Sequence, residues 1–457
     1  MINELKPYGE YKRAKQEWLN IIPIHWKEAK SKRLFNEISI KNCPNEELLS
    51  ATQNAGVIPR SMLKTRVVMP SGNLETFKLV QEGNFVISLR SFQGGLEYSK
   101  YRGIVSPAYN ILEEKTNQNK MYYRYLFKCH DFIGELQRNV TGIRQGKNID
   151  VNDFKEVILP IPTLYEQDRI VKYLDFQLAK INKFIKAKKK LILALKDQKQ
   201  TVINQAVTKG INPNVKMKPS GIKWLGDIPD HWNIMRCKFL FNEVDERSEY
   251  GRETHLSMSQ KYGLIPNERL DERRLLSENY IGAKVCQTDD LVLNRLKAHL
   301  GVFSLAPQHG LVSPDYTVLR PNTLIFPKFS EYALKSQVCR GELYTRVKGI
   351  VKGFWRLYTD DFYNIVLPLP SYQEQINIVT IIEAKFQAID SIISKTQDEI
   401  DLITEYRTRL ISDVVTGKVD VRNIVIAEVD IDDIDTDELD EDELNNEEAE
   451  YSEESEA

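Results

Sequence analysis

The chain has 457 residues, 42% of them hydrophobic and 28% charged, enough for sizeable cores and, at about 150 residues per domain, for roughly three domains. No apolar run approaches the ~18 residues of a membrane span, Met1 to Asn20 is polar, and the five isolated cysteines (Cys43, Cys129, Cys237, Cys286, Cys339) form no C-x-x-C pair; a span, a signal peptide and a zinc module are therefore excluded and a reducing cytoplasm is expected. The net charge of -2 hides an asymmetry: 17 of the 65 acids lie from Glu428 onward, where there is no Lys or Arg, so the body sets 63 bases against 48 acids, a balance that suits nucleic acid.

Taken in order, the chain opens on Trp18-Leu19, Ile22-Pro23, His25-Trp26 and Leu34-Phe35-Asn36-Glu37. Asn84 to Arg90 and Val105 to Leu112 read as strands from their Val, Ile, Leu and Tyr content, and Tyr122 to Arg138 reads as a helix. Val157-Ile158-Leu159-Pro160-Ile161-Pro162 closes this first domain, residues 1–162, as a strand with prolines where no ladder N–H is needed. Thr163 then stands three residues before Glu166, a capping box that starts a helix.

That helix, residues 163–210, carries apolar residues at Val171, Leu174, Leu178, Ile181, Ile185, Ile192, Leu195, Val202 and Ala206, with Lys188 and Lys199 in the gaps. The three-then-four alternation over about five heptads predicts a coiled coil rather than a helix lying on a globular core. A linker follows at 211–219, marked by Asn212-Pro213 and Lys218-Pro219.

From there the chain repeats itself. The opening motifs return, shifted by 206, as Trp224-Leu225, Ile228-Pro229, His231-Trp232 and Leu240-Phe241-Asn242-Glu243. Shifted by 207, Gly56-Val57-Ile58-Pro59 becomes Gly263-Leu264-Ile265-Pro266, and Gly134-Glu135-Leu136 becomes Gly341-Glu342-Leu343. The second domain, 220–370, thus has strands at Asp290 to Lys297 and Val312 to Leu319, a helix at Ser330 to Val347 and a closing strand Ile365-Val366-Leu367-Pro368-Leu369-Pro370. Ser371 and Glu374 cap a second long helix, 371–420, whose seam is Val379, Ile382, Phe386, Ile389, Ile393, Ile400, Ile403, Leu410 and Val414, interrupted at Thr396 and Arg407. Its positions are those of the first seam shifted by 208. Residues 421–457 form an acidic tail too poor in large apolar residues to fold, a solvating extension or, on a sharper reading, a polyanion mimic.

The fold class expected is α+β: two tandem mixed domains, each followed by a long helix, with the helices pairing as an antiparallel coiled coil in a pseudo-twofold dumbbell. Each seam of 35 residues would span roughly 53 Å. Lys188 and Thr396 lie beside the seam midpoints, where a polar pair fixes register if the two meet; otherwise the side chains reach solvent.

The doubled layout, the opening signature Ser220-Gly221-Ile222-Lys223-Trp224-Leu225-Gly226-Asp227-Ile228-Pro229 with His231-Trp232, and the closing Leu-Pro-Ile/Leu-Pro followed by Glu166-Gln167 or Glu374-Gln375 resemble the specificity subunit of type I restriction-modification enzymes. Repeat one departs from the opening signature, with Gln16-Glu17-Trp18-Leu19-Asn20, and the acidic tail lies outside the pattern. The resemblance implies a non-catalytic subunit whose two target-recognition domains each read half of a split, asymmetric DNA site. It implies docking of two methyltransferase subunits, using S-adenosylmethionine, and of restriction subunits using ATP and Mg.

The residues themselves offer little chemistry. Ser106-Pro107-Ala108-Tyr109 and Ser313-Pro314-Asp315-Tyr316 are similar to the Pro-Pro-Tyr loop of amino-methyltransferases but lack the second proline, and no glycine-rich strand-turn-helix precedes them; a strand start is the plainer reading. No phosphate-cradling G-x-x-x-x-G-K-[ST] loop occurs, and the His-Trp pairs read as packing rather than metal ligands. A self-contained adenine methyltransferase and a bivalent scaffold without DNA are the alternative functions.

Where the repeats agree, a residue serves the shared fold; where exposed positions disagree, it can read different bases. Ser88-Leu89-Arg90-Ser91-Phe92-Gln93 and Arg295-Leu296-Lys297-Ala298-His299-Leu300 differ in this way, as do Arg144-Gln145-Gly146-Lys147 and Val351-Lys352-Gly353-Phe354. The base-reading candidates are Arg90, Gln93, Arg144, Gln145, Lys147, Arg295, Lys297, His299 and Lys352, because paired donors and acceptors match guanine and adenine edges. Lys64, Arg66, Arg273 and Lys348 are candidates for phosphate contacts.

Overall fold

The computed structural model describes residues 5–53, 55–63, 74–89, 91–138, 149–259, 262–269, 280–349 and 355–426. They fall into two units, one of Met1–Lys188 with Asp398–Ala457 and one of Lys189–Gln397. Each unit holds one repeat's domain, part of the first long helix (Leu164–Lys209) and part of the second (Tyr372–Val415). Among the described residues no helix is long and apolar enough to cross a membrane.

The two domains are built alike. Unit one has a four-stranded antiparallel sheet in the order Phe35–Ile38, Asn110–Glu114, Phe85–Ile87, Glu97–Tyr98. Unit two has the same order in Phe241–Val244, Tyr316–Pro321, Leu291–Asn294, Phe303–Leu305. The closing strands also match: Ile158–Ile161 pairs with Lys27–Lys30, and Val366–Leu369 with Asn233–Arg236. These are two-stranded ribbons, where Pro160 and Pro368 leave no central ladder short of a donor. Phe35, Phe85, Phe127 and Phe132 centre the first core, and Phe241, Phe303, Phe329 and Phe362 the second.

Local side-chain chemistry divides several expected elements. Asn84 and Asp290, expected to begin strands, instead turn the chain by accepting from the Gln81 and Gln287 N–H groups, each at 2.8 Å, and the strands start one residue later. Val105 to Leu112 and Val312 to Leu319 are not single strands. The Ser-Pro turns, closed by Tyr109 N to Ser106 O at 3.1 Å and Tyr316 N to Ser313 O at 3.0 Å, split each into strands of different sheets. Tyr122 to Arg138 is two helices, Lys120–Leu126 and His130–Arg138; the counterpart is Pro327–Lys335 and Gln337–Arg346, broken at Ser336, whose hydroxyl caps the second.

Most heptad-seam residues are buried, while Ile185, Val202, Phe386, Ile393 and Ile403 are half-buried. In unit one Val171, Leu174, Leu178 and Ile181 share a core with Leu410 and Val414; in unit two Ala206 shares one with Val379 and Ile382. The start of one helix thus lies beside the end of the other, an antiparallel pairing. Lys188 pairs with Glu399 at 2.6 Å in unit one, and Lys199 with Asp390 at 2.6 Å in unit two. Thr396 is buried and donates to the Ile392 carbonyl of its own helix at 2.8 Å. Near their ends the helices also lie on the domain cores: Ile170 and Tyr173 are buried in unit one, Val207 and Ile378 in unit two. The seam therefore does not exclude globular packing, because a second stripe on the same helix meets the domain.

The repeated Glu-Gln and His-Trp motifs explain one another. Glu166 is buried; its Oε1 accepts from His25 Nε2 at 2.8 Å and Trp26 Nε1 at 3.3 Å, while Oε2 accepts from Thr163 N at 3.2 Å and Oγ1 at 2.8 Å. Burial opposes its charge, but these hydrogen bonds outweigh it and hold the carboxyl below its ordinary pKa. Glu374 accepts from His231 at 3.0 Å and Trp232 at 3.0 Å, and its N–H donates to Ser371 Oγ at 3.3 Å. Gln167 accepts from Asn119 N at 2.9 Å and donates to Pro162 O at 3.0 Å; Gln375 accepts from Phe326 N at 2.7 Å and donates to Pro370 O at 3.0 Å. His-Trp is thus neither ligand nor simple packing; it grips the helix cap.

Each Trp also receives a helix end. Gly210 (φ 75°) follows the first long helix beside Trp232, and Gly417 (φ 79°) follows the second beside Trp26 and Pro23. In unit one the chain then returns to its beginning, with Lys6 bridging Asp420 and Tyr11 Oη donating to Gly417 O at 3.2 Å. A Cβ at position 417 would lie 2.5 Å from Pro23 Cδ, whereas at 210 the nearest atom is 3.3 Å away. Gly210→Ala is expected to cost about 1–2 kcal/mol for the left-handed backbone, and Gly417→Ala about 1–3 kcal/mol more from overpacking, measured by denaturant unfolding.

Candidate nucleic-acid interface

The strand ends singled out by the repeat comparison lie beside residues 149–151 in unit one and beside residues 355 and 357 in unit two, while the loops 144–147 and 351–354 lie outside the described residues. In unit one a cavity of about 180 Å³ is lined by Ile87, Ser88 and Leu89 at a strand end, Ala108 and Asn110 around the Ser-Pro turn, and Ile149, Asp150 and Val151. In unit two the Leu357 N–H donates to Arg295 O at 3.0 Å, and the rings of His299 and Trp355 lie 5.9 Å apart, joining the corresponding segments. Segments some sixty residues apart are neighbours because the central sheet carries one and the crossover to the closing strand carries the other.

Eight of the candidate residues, Lys64, Arg66, Arg90, Arg144, Gln145, Lys147, Arg273 and Lys352, lie outside the described residues. The other five differ in availability. Gln93 is exposed and accepts from Gln53 Nε2 at 3.4 Å. Lys297 is exposed at the start of the turn Ala298–Leu300. Arg295 lies against its own sheet, its Nε donating to Thr317 Oγ1 at 2.7 Å and its guanidinium 3.6 Å from Glu243. It ties its own segment to the two neighbouring strands of the sheet.

Lys348 is likewise engaged. Its ammonium pairs with Asp361 at 2.7 Å, and its backbone exchanges hydrogen bonds of 2.9 and 2.8 Å with Arg356. His299 packs edge-on against Tyr344 and Trp355, with centroids 5.8 and 5.9 Å away. Burial lowers its pKa, and the nearby Arg340 lowers it further, so the imidazole is neutral at pH 7 and offers no charge to a phosphate. Tyr344, Trp355, Arg340 and Arg356 were missed by sequence reasoning; the signal available was their position in the divergent segments beside Gly341 and Gly349. Among the described residues no group of three His, Cys, Asp or Glu side chains is placed to hold a metal ion.

A family model described as the type I restriction modification DNA specificity domain matches residues 23–194. The type I restriction enzyme MjaVIII specificity subunit of Methanocaldococcus jannaschii is 24% identical over 367 residues, 76% of this chain and 81% of that relative. The chain is thus similar to the type I restriction-modification specificity subunits. The EcoBI specificity subunit of Escherichia coli is 23% identical over 336 residues, 67% of each chain. A chain from a solved structure concerning complex assembly and conformational transition of the type I R-M system shares the fold, with a TM-score of 0.64 at 14% identity over 87% of this chain and 99% of that one. The matched residues span most of repeat one and the first part of its long helix, and repeat two is the internal copy of repeat one.

The neutral His299 has a consequence for stability. Its folded pKa lies below the unfolded value of 6.5, so its contribution is complete above that pH and is lost as pH falls from 6.5 through the folded value. His299→Phe, the residue of the aligned position Phe92, is expected to flatten this part of the stability–pH curve, read by denaturant melts between neutral and mildly acidic pH.

Proposed function

We propose that this chain is the DNA sequence-recognition subunit of a type I restriction-modification complex, each domain reading one half of a split site. The observation that carries this reading is the pairing of identical sheet order with divergent reading segments: the same scaffold presents Ser88 to Gln93 in one repeat and Arg295 to Leu300 in the other. A scaffold that holds its geometry while changing its polar edge is what two different half-sites require. The subunit itself is non-catalytic. S-adenosylmethionine, ATP and Mg belong to partner subunits, and the assembly works in the cytoplasm on host DNA.

The outer faces of the long helices would receive those partners. Phe184, Leu402 and Tyr406 are exposed in unit one, and Leu191, Leu193 and Ile392 in unit two, although the seam is already filled. Apolar side chains left outside a completed seam suit the docking of two methyltransferase subunits, with restriction subunits joining that core.

Co-expression with the methyltransferase subunits, followed by mapping of methylated adenines, should reveal a split target with unlike halves; a palindromic target would contradict the reading. Within repeat two, Lys297→Ala should reduce the salt slope of duplex binding by about one and leave the melting temperature unchanged. Arg295→Ala should instead destabilise the fold by about 1–3 kcal/mol by leaving Thr317 and Glu243 unpartnered. Equal loss of binding and stability in both variants would show that Lys297 is structural.

A further inference from the structure

Unit two contains a cavity of about 770 Å³ between the first long helix and the paired segments Ala298–Leu300 and Gln337–Arg346. Lys196 and Gln200 line it from the long helix, and His299, Gln337, Arg340 and Tyr344 from the domain. Arg340 Nε and His299 Nδ1, on two of the lining side chains, have no hydrogen-bond partner among the described residues and are covered rather than open to the cavity. A covered guanidinium N–H left unpaired is costly, so the fold gains nothing from placing Arg340 here.

The duplication shows that packing does not demand these groups. Shifted by 207, Arg340 aligns with Ile133 and His299 with Phe92, on the corresponding helix His130–Arg138 and turn Ser91–Gly94 of repeat one. The same architecture therefore stands with apolar side chains at both positions. Repeat two has placed a guanidinium and an imidazole where the fold accepts isoleucine and phenylalanine.

The lining also has a sign. Arg340 and Lys196 are cationic, Gln200, Gln337 and Tyr344 supply neutral donors, and Asp197 is the lone acid of the lining. Burial lowers the proton affinity of His299, and the charge of Arg340 lowers it further. We infer that this cavity is a phosphate-binding site, with Arg340 as its principal ligand and His299, Lys196 and Gln337 around it. The volume falls within the ~300–1,000 Å³ of small-molecule sites and exceeds the need of one phosphate, leaving room for the attached nucleoside. Tyr344, exposed at the rim, offers a ring on which a base can stack. The phosphate belongs either to a free nucleotide or to a DNA backbone, and the inference stands independently of sequence reading by the domains.

The test uses the purified full chain and the variants Arg340→Ile and His299→Phe, which install the residues of repeat one. Inorganic phosphate and ADP are titrated calorimetrically, and duplex DNA lacking any target sequence is titrated over a range of salt. Saturable binding of ADP or phosphate, weakened about tenfold or more in both variants, supports a free nucleotide. No ADP binding, with duplex affinity about tenfold lower and a salt slope reduced by about one in Arg340→Ile, supports the backbone source. Circular dichroism establishes that the variants fold, and if Arg340→Ile does not, His299→Phe is read alone for loss of affinity. Affinities for all three probes that match wild type in the folded variants, or no binding of any probe by wild type, overturn the assignment.

Discussion

A single carboxylate at the start of each long helix holds together parts of the chain that lie far apart in sequence. Glu166 closes the capping box with Thr163 and takes hydrogen bonds from His25 and Trp26, some 140 residues earlier. Glu374 does the same with His231 and Trp232. The strand that precedes each helix pairs with the strand that follows His-Trp, so the carboxylate fixes where the domain opens, where it closes and where the helix begins. Glu166, buried and with both oxygens bonded, is expensive to leave unpaired, and the half-buried Glu374 makes the equivalent bonds in repeat two. The neighbouring Gln167 and Gln375 extend the lock to the loop in front of the domain's helices.

From that junction the rest follows by packing. The helix leaves at a set angle, buries one stripe on its domain and presents a second stripe to the other helix. The end of the opposite helix is received on Trp26 or Trp232, with Gly417 or Gly210 supplying the left-handed turn that lets the backbone approach the ring. In unit one this brings residues after the second helix against the first strands of the chain, where Arg422 also lies 4.8 Å over Tyr8.

Because the scaffold is duplicated, each repeat is a control for the other. Agreement marks what the fold needs, as at Glu-Gln and His-Trp. Disagreement marks what the fold tolerates, as at Phe92 against His299 and Ile133 against Arg340. Disagreement also singles out the strand ends after Ile87 and Asn294 as candidates for an interface. It did not rank the residues within them, because a cation's availability depends on its neighbours: Arg295 meets Glu243 and Thr317, and Lys348 meets Asp361.

By itself the sequence determined the α+β class, the duplication, the seams and the caps, since period, spacing and local hydrogen bonding are properties of short stretches. It overextended elements where a side chain diverts the backbone, as Asn84, Asp290 and Ser336 do, since competition between a side-chain hydrogen bond and a ladder is settled only in place. Only the tertiary structure decided that the His-Trp pairs grip the helix caps, that Lys188 answers Glu399, and that Arg340 and His299 face a common cavity. These are contacts between residues tens to hundreds of positions apart. Their energies come from burial and directed hydrogen bonds, which have no signature in the residues taken one at a time.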